Sequence, residues 1–317
     1  MTTLYKYSGN LGDAFFDDPT IKISVTSKLN DPFESRISEN IKEYINRCFK
    51  KKIPHKVMES STWMIETCAT VFGIVSLSET HRNSLMWAHY ANEHSGMCIG
   101  IDSTYLQHKA DEFLNIGHDT LILKGEYHPI KIKYDNMRFD PEEHELIPTS
   151  DFANGSAFRT LLIKQLSIKS DEWIYEKEHR SIIPFSYADI ICVKRDVLED
   201  ITKKDLGDLT DSGVLTAIES DHPTIEKYEC TDRKIKRGFA IIAAEAPKDA
   251  VSFLCRIPHK KIMTIHLGVN YDEKSQSKLL NRIKQKTHPL HHVKVYRKKL
   301  SDSRFELNSE LIYSPEK

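Results

Sequence analysis

The sequence predicts an α+β fold: a single domain, residues 1–317, with a mixed, mainly antiparallel sheet and packed helices. Three observations predict it. At 317 residues and 39 % hydrophobic, the chain can bury a sizeable core without disulfide or metal staples. It carries no internal repeat and no low-complexity tract. Short β-patterned runs are interspersed with helical stretches, and the chain closes as strand, helix, strand, strand.

The elements follow in order. "TLYKY" (3–7) alternates as a strand does, and "IKISVT" (21–26) sets Ile21, Ile23 and Val25 against Lys22, Ser24 and Thr26. "LNDPFE" (29–34) breaks the pattern: Asn30 and Asp31 bond their own backbone, Pro32 fixes the turn, and Phe33 is expected to plug the core. From Ser38, a plausible cap, Ile41, Tyr44, Ile45, Cys48 and Phe49 recur at helical spacing. A second helix is expected from about His55 to Ala69. "FGIVSLS" (72–78) is a strand by its β-branched content, Asn83 to Asn92 a short helix, and "GMCIGID" (96–102) the next strand. Strands 120–127 and 130–135 flank a "YHP" turn, an apolar helix spans Phe158 to Ile168, and "WIYEKEHRSIIPF" (173–185) is a strand ended by proline. Residues 196–236 hold eleven Asp or Glu and few aromatics, so they are expected as a variable acidic insertion or loosely packed excursion. "GFAIIAAE", "VSFLC", "KIMTIHLG", a helix near Asp272 to Lys286, "HHVKVYRKKL" and "FELNSELIY" complete the chain.

Charge and cysteine usage exclude several classes. Forty-five basic residues against 46 acidic ones leave no global field, so no strong nucleic-acid or anionic-lipid signal exists. Cys48, Cys68, Cys98, Cys192, Cys230 and Cys255 form no CxxC pair and no zinc-spaced cluster. No stretch approaches the roughly 18 apolar residues of a membrane span, and the N-terminus has no apolar signal core. A cytoplasmic protein with no membrane partner is the expectation.

"MWAHYANEHSG" (86–96) crowds amphipathic and titratable side chains ahead of a strand. On a helix, Trp87 lies beside Tyr90, and Met86 beside His89 and Tyr90. Met86, Trp87 and Tyr90 read as core, with His89 a satisfied imidazole. The other reading is a rim in which Tyr90 or Trp87 stacks on a nicotinamide or nucleobase. His89, His94 and Glu79 bracket the helix between two strand ends, with Gly96 allowing close backbone approach, and a histidine would then stand near the leaving group. HxxxxH does not place two histidines on one helical face as HxxxH does, so no metal is expected.

"LYKY", "LNDPFE", "SLSETHRNSLMWAHYANEHSG" and "WIYEKEHR" together resemble a bacterial family catalogued as domain of unknown function twenty-nine seventy-one. Its pattern runs through "NDPFE", "MWAHYA..H.G.CIGID" and "W.YEKE.R", and the resemblance covers most of the chain outside 196–236. It implies a setting among bacterial toxin or phage-defence genes.

A second resemblance is to ADP-ribosyltransferases. Lys6, Ser76-Leu77-Ser78 and Glu176-Lys177-Glu178 stand in that family's chain order, although Lys6 replaces its Arg or His and the Ser-to-Glu gap is long. The resemblance implies an ADP-ribosyltransferase-like fold and NAD as substrate. Glu178 would be the main catalytic carboxylate, stabilising charge as nicotinamide leaves, and Glu176 would orient the acceptor. Ser76 or Ser78 would order the ribose, and Tyr5, Lys6 and Tyr7 the dinucleotide. As strand neighbours Glu176, Glu178 and Arg180 would share one face; the competing reading of "EKEHR" is a solvated face with cross-strand charge pairs.

The expected function is therefore a nucleotide-processing enzyme with a nucleotide-type small molecule and a macromolecular acceptor as partners. The alternative is a non-catalytic module sensing a ligand or phage component. A third option is a metal-dependent nuclease on Asp31, Glu34 and Glu178, for which no DxD or PD-ExK arrangement is clean.

Overall fold

The computed structural model describes residues 2–9, 11–34, 36–49, 65, 71–116, 126–140, 142–143, 146–153, 156–200, 210–220 and 223–315. The two alternating runs near the N-terminus form β1 (Thr3–Ser8) and β2 (Thr20–Val25), joined through α1 (Asp13–Asp17). The helical period after Ser38 gives α2 (Glu39–Phe49), which buries Ile41, Tyr44 and Ile45. The Ser38 hydroxyl accepts from the Ile41 amide at 3.4 Å, as a cap should. The helix expected at 55–69 lies outside the described residues, apart from Ile65.

Strand β3 (Phe72–Ser78) is buried along most of its length, and so is β4 (Met97–Asp102). Between them α3 (Ser84–Tyr90) starts where Asn83 accepts from the Leu85 and Met86 amides. There follow α4 (Gln107–Ile116), β5 (Glu126–Lys131), β6 (Lys133–Tyr134), α5 (Thr149–Ala153), α6 (Ser156–Leu166), β7 (Ile168–Lys169) and β8 (Glu178–Pro184). The rest is β9 (Ile190–Lys194), α7 (Arg195–Asp200), β10 (Leu215–Ile218), β11 (Ile225–Cys230), α8 (Arg233–Glu245), β12 (Val251–Arg256), β13 (Ile262–Leu267), α9 (Glu273–Ile283), β14 (Lys294–Leu300) and β15 (Leu307–Tyr313).

Among the described residues thirteen strands form one sheet, in the order β10-β11-β9-β12-β2-β3-β1-β4-β13-β14-β15, with β8 on the other edge of β3 and β5 beyond it. In that sheet β13–β14 is parallel and the other described pairings are antiparallel. The expected α+β class holds.

The functional consequence lies at β3. One half of a single β3 edge pairs with β2, at Ser24↔Ile74 and Val25↔Gly73; its far end pairs with β1, at Tyr5↔Ser78. The other edge pairs with β8 throughout, from Phe72↔Pro184 to Ser78↔Glu178. The sheet therefore forks, and a cleft opens where β1 and β2 part. Gly73 permits the fork: a Cβ there would stand 2.4 Å from an Ile23 methyl and 2.6 Å from the Phe185 ring. Gly96 allows the approach expected of it, since a Cβ would meet the Ser8 carbonyl at 2.3 Å.

Several expectations are corrected. "YHP" is no turn between strands; β5 runs through it with a register shift between Glu126 and Ile130. Residues 120–125, the start of the expected strand there, lie outside the described residues. "WIYEKEHRSIIPF" is a 3₁₀ turn (Asp171–Glu176) followed by β8, so Glu176 and Glu178 do not share a strand. Lys177 between them is left-handed, with φ 47°, because the chain must swing out of the turn and into the sheet. Phe33 does not plug the core: it is 59 % exposed, with the Arg138 guanidinium over its ring. The acidic stretch 196–236 supplies β10 and β11 to the main sheet, and buries Leu215, Tyr228 and Cys230 in its core. Of its acidic residues only Glu226 and Glu229 lie on these two strands; Asp196, Glu199 and Asp200 fall in α7, and Asp232 caps α8. "GFAIIAAE" falls in α8.

Candidate functional site

The fork holds a cavity of about 230 Å³, lined from segments far apart in sequence. β1 contributes Tyr5, Lys6 and Tyr7; β3 contributes Ser76 and Ser78; α3 contributes Met86 and Tyr90; the β8 region contributes Glu176, Glu178 and Arg180. "LYKY", "SLS", "MWAHY" and "EKEHR" thus meet in one place, because β1, β3 and β8 lie side by side and α3 closes the end.

The floor is a buried charge cluster. Arg180, 1 % exposed, grips Glu178 bidentately: Nε donates to Oε1 at 2.8 Å and Nη2 to Oε2 at 2.9 Å. The same Nη2 donates to Glu34 Oε1 at 2.6 Å, and Nη1 to the Leu166 carbonyl at 2.8 Å. Lys169 Nζ lies 2.6 Å from Glu176 Oε2, 3.4 Å from Glu178 Oε2 and 3.5 Å from Glu34 Oε1. Its charge also stands over the Trp173 ring, 4.6 Å from the centroid. Three carboxyls face two cations, which is what keeps charged groups tolerable out of water.

The carboxyls are not equivalent. Burial by itself would raise Glu178, but Arg180, Lys169 and the Ser76 hydroxyl together hold it down at about 2, so it is ionised at neutral pH. For Glu34 burial outweighs Arg180 and Lys169, and its carboxyl is raised. Neighbouring carboxyls pushed apart in this way are a usual arrangement for dividing acid and base roles. On the cation side, burial lowers Lys6 to about 8, partly offset by Glu178. Lys6 donates to the Ser76 carbonyl at 3.0 Å.

Tyr90 links floor and mouth. Its hydroxyl donates to Glu176 Oε1 at 2.5 Å and accepts from Asn30 at 3.0 Å, whose own side-chain oxygen accepts from Lys248 at 3.2 Å. Lys6, Lys22, Lys28 and Lys248 line the upper part of the cleft, giving a basic rim over the carboxylate floor.

Other expected residues take different roles. Ser78 is 2 % exposed and spends its hydroxyl on the Glu176 carbonyl at 2.7 Å, fixing the turn that carries Glu176. Tyr7 touches the cleft, but its hydroxyl donates to the Thr80 carbonyl and its ring packs edge-on against Trp87. Trp87 is fully buried core and donates to the His81 carbonyl; it does not line the cleft. His89 is exposed on the outer face of α3 and His94 sits in a left-handed turn, φ 67°; neither lines the cleft. Glu79 pairs with Lys131 and His179 away from it. Glu34 and Glu178 meet on Arg180, whereas Asp31 accepts from the Phe33 amide within its turn. Among the described residues no group of three or more His, Cys, Asp or Glu is arranged to hold a metal ion. The sequence does not point to Lys169, to the bond between Asn30 and Tyr90, or to Lys22, Lys28 and Lys248 as cleft residues; nothing in "LSIKSDEW" distinguishes a buried lysine from a surface one.

Fold and site define an α+β protein with a cleft in a forked sheet, floored by paired carboxylates and rimmed by lysines. Residues 86–181 match the model of a family described as protein of unknown function (DUF2971), the family that the motifs resemble. The matched stretch carries Tyr90, Lys169, Glu176, Glu178 and Arg180. No curated protein and no solved structure matches. No helix among the described residues is long and apolar enough to cross a membrane.

Proposed function

We propose that the cleft binds a nucleotide-type ligand and acts at its ribose, in NAD hydrolysis or ADP-ribosyl transfer. The observation that carries this reading is the meeting of Ser76, Tyr90, Glu176 and Glu178 beneath a lysine rim, from segments up to 102 residues apart. Carboxylates suit sugar hydroxyls, and ammonium groups suit phosphates. The glycosidic C–N bond breaks, its electron pair leaves with nicotinamide, and the ribose carries oxocarbenium charge. Glu178, held ionised by Arg180, faces that charge. Water or a macromolecular acceptor attacks the anomeric carbon, and Glu176 orients it and takes its proton. A toxic or phage-defence role would act through this step.

The test is incubation of the protein with NAD, with and without cell extract, measuring free nicotinamide. Glu178→Gln should cut release by about a hundredfold or more, the scale of losing one electrostatic stabiliser. ADP-ribose affinity should change little, because the ground state lacks the charge. Glu176→Gln should spare hydrolysis more than transfer. Absence of both nicotinamide release and ADP-ribose binding would overturn the reading.

One observation favours a binding module instead. Both oxygens of Glu178 and both of Glu176 already have partners within the protein. In that reading ADP-ribose binds to the same residues and no nicotinamide is released.

A further inference from the structure

A second hollow, of about 430 Å³, adjoins the cleft, and Lys6 and Lys22 are walls of both. Its chemistry is different. β4 supplies Ile99 and Ile101, β12 supplies Leu254, β10 supplies Ile218, α1 supplies Phe15 and the segment before it Leu11. Ile99 and Ile101 are buried, while Leu11, Phe15, Ile218 and Leu254 are half-buried around open space. Such a wall gains by having apolar surface laid against it instead of water. It is branched and aliphatic, and Phe15 is its one ring, so it offers volume for a chain and little to stack a flat base.

Two lysines stand where the two hollows join, while Ser8, Asp18, Thr20, Glu219 and Lys227 also line the second one. Lys6 is half-buried, and its ammonium has three donors, of which one reaches the Ser76 carbonyl. Lys22 comes from the opposite side of the fork and is paired with Asp249 near the surface. Two ammonium groups from β1 and β2 therefore stand at the junction with a chamber whose wall is largely aliphatic. Part of that chamber's wall is Ile218, from the acidic stretch that looked peripheral in the sequence.

We propose that this hollow binds a phosphate ester bearing a single aliphatic chain, with the chain against Ile99, Ile101 and Leu254 and the phosphate between Lys6 and Lys22. Charge complementarity sets the head group, and the aliphatic wall sets the tail. The head group takes the same two lysines that a nucleotide's phosphates would use, so the two ligands exclude each other. An aliphatic phosphate is then an inhibitor or a regulator of the cleft. The binding claim stands without the nucleotide reading; only the competition depends on it.

The experiment is calorimetric titration of the full chain with butyl, hexyl and octyl phosphate, each below its micelle concentration, beside inorganic phosphate and ADP-ribose. Affinity should rise about threefold to fourfold per added methylene, as burial of a CH₂ predicts. Ile218→Trp and Leu11→Trp fill the hollow from two different elements. Each should flatten the dependence on chain length and leave ADP-ribose binding unchanged, with wild-type thermal unfolding as the check on folding. Octyl phosphate should displace ADP-ribose. Equal affinity for all chain lengths in the wild-type protein overturns the proposal, as does an undiminished length dependence in both folded Trp variants. A length dependence that persists while ADP-ribose fails to bind supports it and removes only the nucleotide reading.

Discussion

Two buried polar clusters lie on either side of Tyr5, and they handle burial in opposite ways. On the cleft side Glu34, Lys169, Glu176, Glu178 and Arg180 pair with one another at hydrogen-bonding distance. Behind Tyr5, His81 and His266 stack with ring centroids 4.2 Å apart, and Tyr5 meets both edge-on. Lys298, 1 % exposed, donates to His81 Nδ1 and to the Ser309 hydroxyl, each at 2.8 Å. No carboxylate stands against these three among the described contacts. Burial drives His81 down to about 4, helped by Lys298, and His266 down to about 2, helped by His81 and Lys298. Burial lowers Lys298 to about 8. His266 Nδ1 has no hydrogen-bond partner among the described residues. Glu178, with opposite charges beside it, holds its charge through burial; the two histidines, with none, give theirs up, and Lys298 is drawn part of the way.

The sharpest way to break the contrast is Arg180→Met. It strips the guanidinium from between Glu34 and Glu178 and leaves buried carboxylates short of a cation. Urea unfolding should show a loss of about 3–5 kcal/mol, the cost of breaking a buried pair from one side. A loss no greater than that of a surface substitution would mean the floor is open to water.

The clusters should also unfold in different pH windows. The histidines have depressed folded values, so the unfolded chain binds more protons below about 6.5. Their contribution is present above pH 6.5 and lost as pH falls through 6.5 towards 4 for His81, and on towards 2 for His266. Glu178 is also depressed, but from a lower starting point. Its contribution is present above its unfolded value of about 4.3 and lost only between there and about 2. Stability measured between pH 6.5 and 5 therefore reads the histidines without Glu178. His266→Phe, which keeps a ring between His81 and Tyr296, should reduce the acid loss over that interval by about 2 kcal/mol.

The smallest effect sharpens the boundary of the site. Ser78→Ala removes the hydroxyl from the Glu176 carbonyl and should cost about 1 kcal/mol. Ligand affinity should fall only as far as the turn carrying Glu176 loosens, and titration of ADP-ribose into the variant measures that directly. A complete loss of binding in a folded Ser78→Ala protein would make Ser78 a direct contact instead.

What the sequence determined by itself is local. Alternation marked β1 and β2, β-branched content marked β3, and Asn83 capped α3 as a helix start should, because period and cap chemistry act over a few residues. It also marked the four stretches that meet at the cleft, since each carries polar groups at a strand end or turn. Tertiary structure decided which side chains face it. Trp87 and Tyr90 lie on one short helix, yet the packing of β1 and β3 buries the first and turns the second onto Glu176. Glu176 reaches Lys169 from a 3₁₀ turn through a left-handed Lys177, and no strand periodicity encodes that bend. The Glu34–Arg180 bond spans 146 residues of sequence. A charge pair of that kind has no local signature, because its partners become neighbours only when β3 draws β1, β2 and β8 together and shuts out the water that would otherwise screen them.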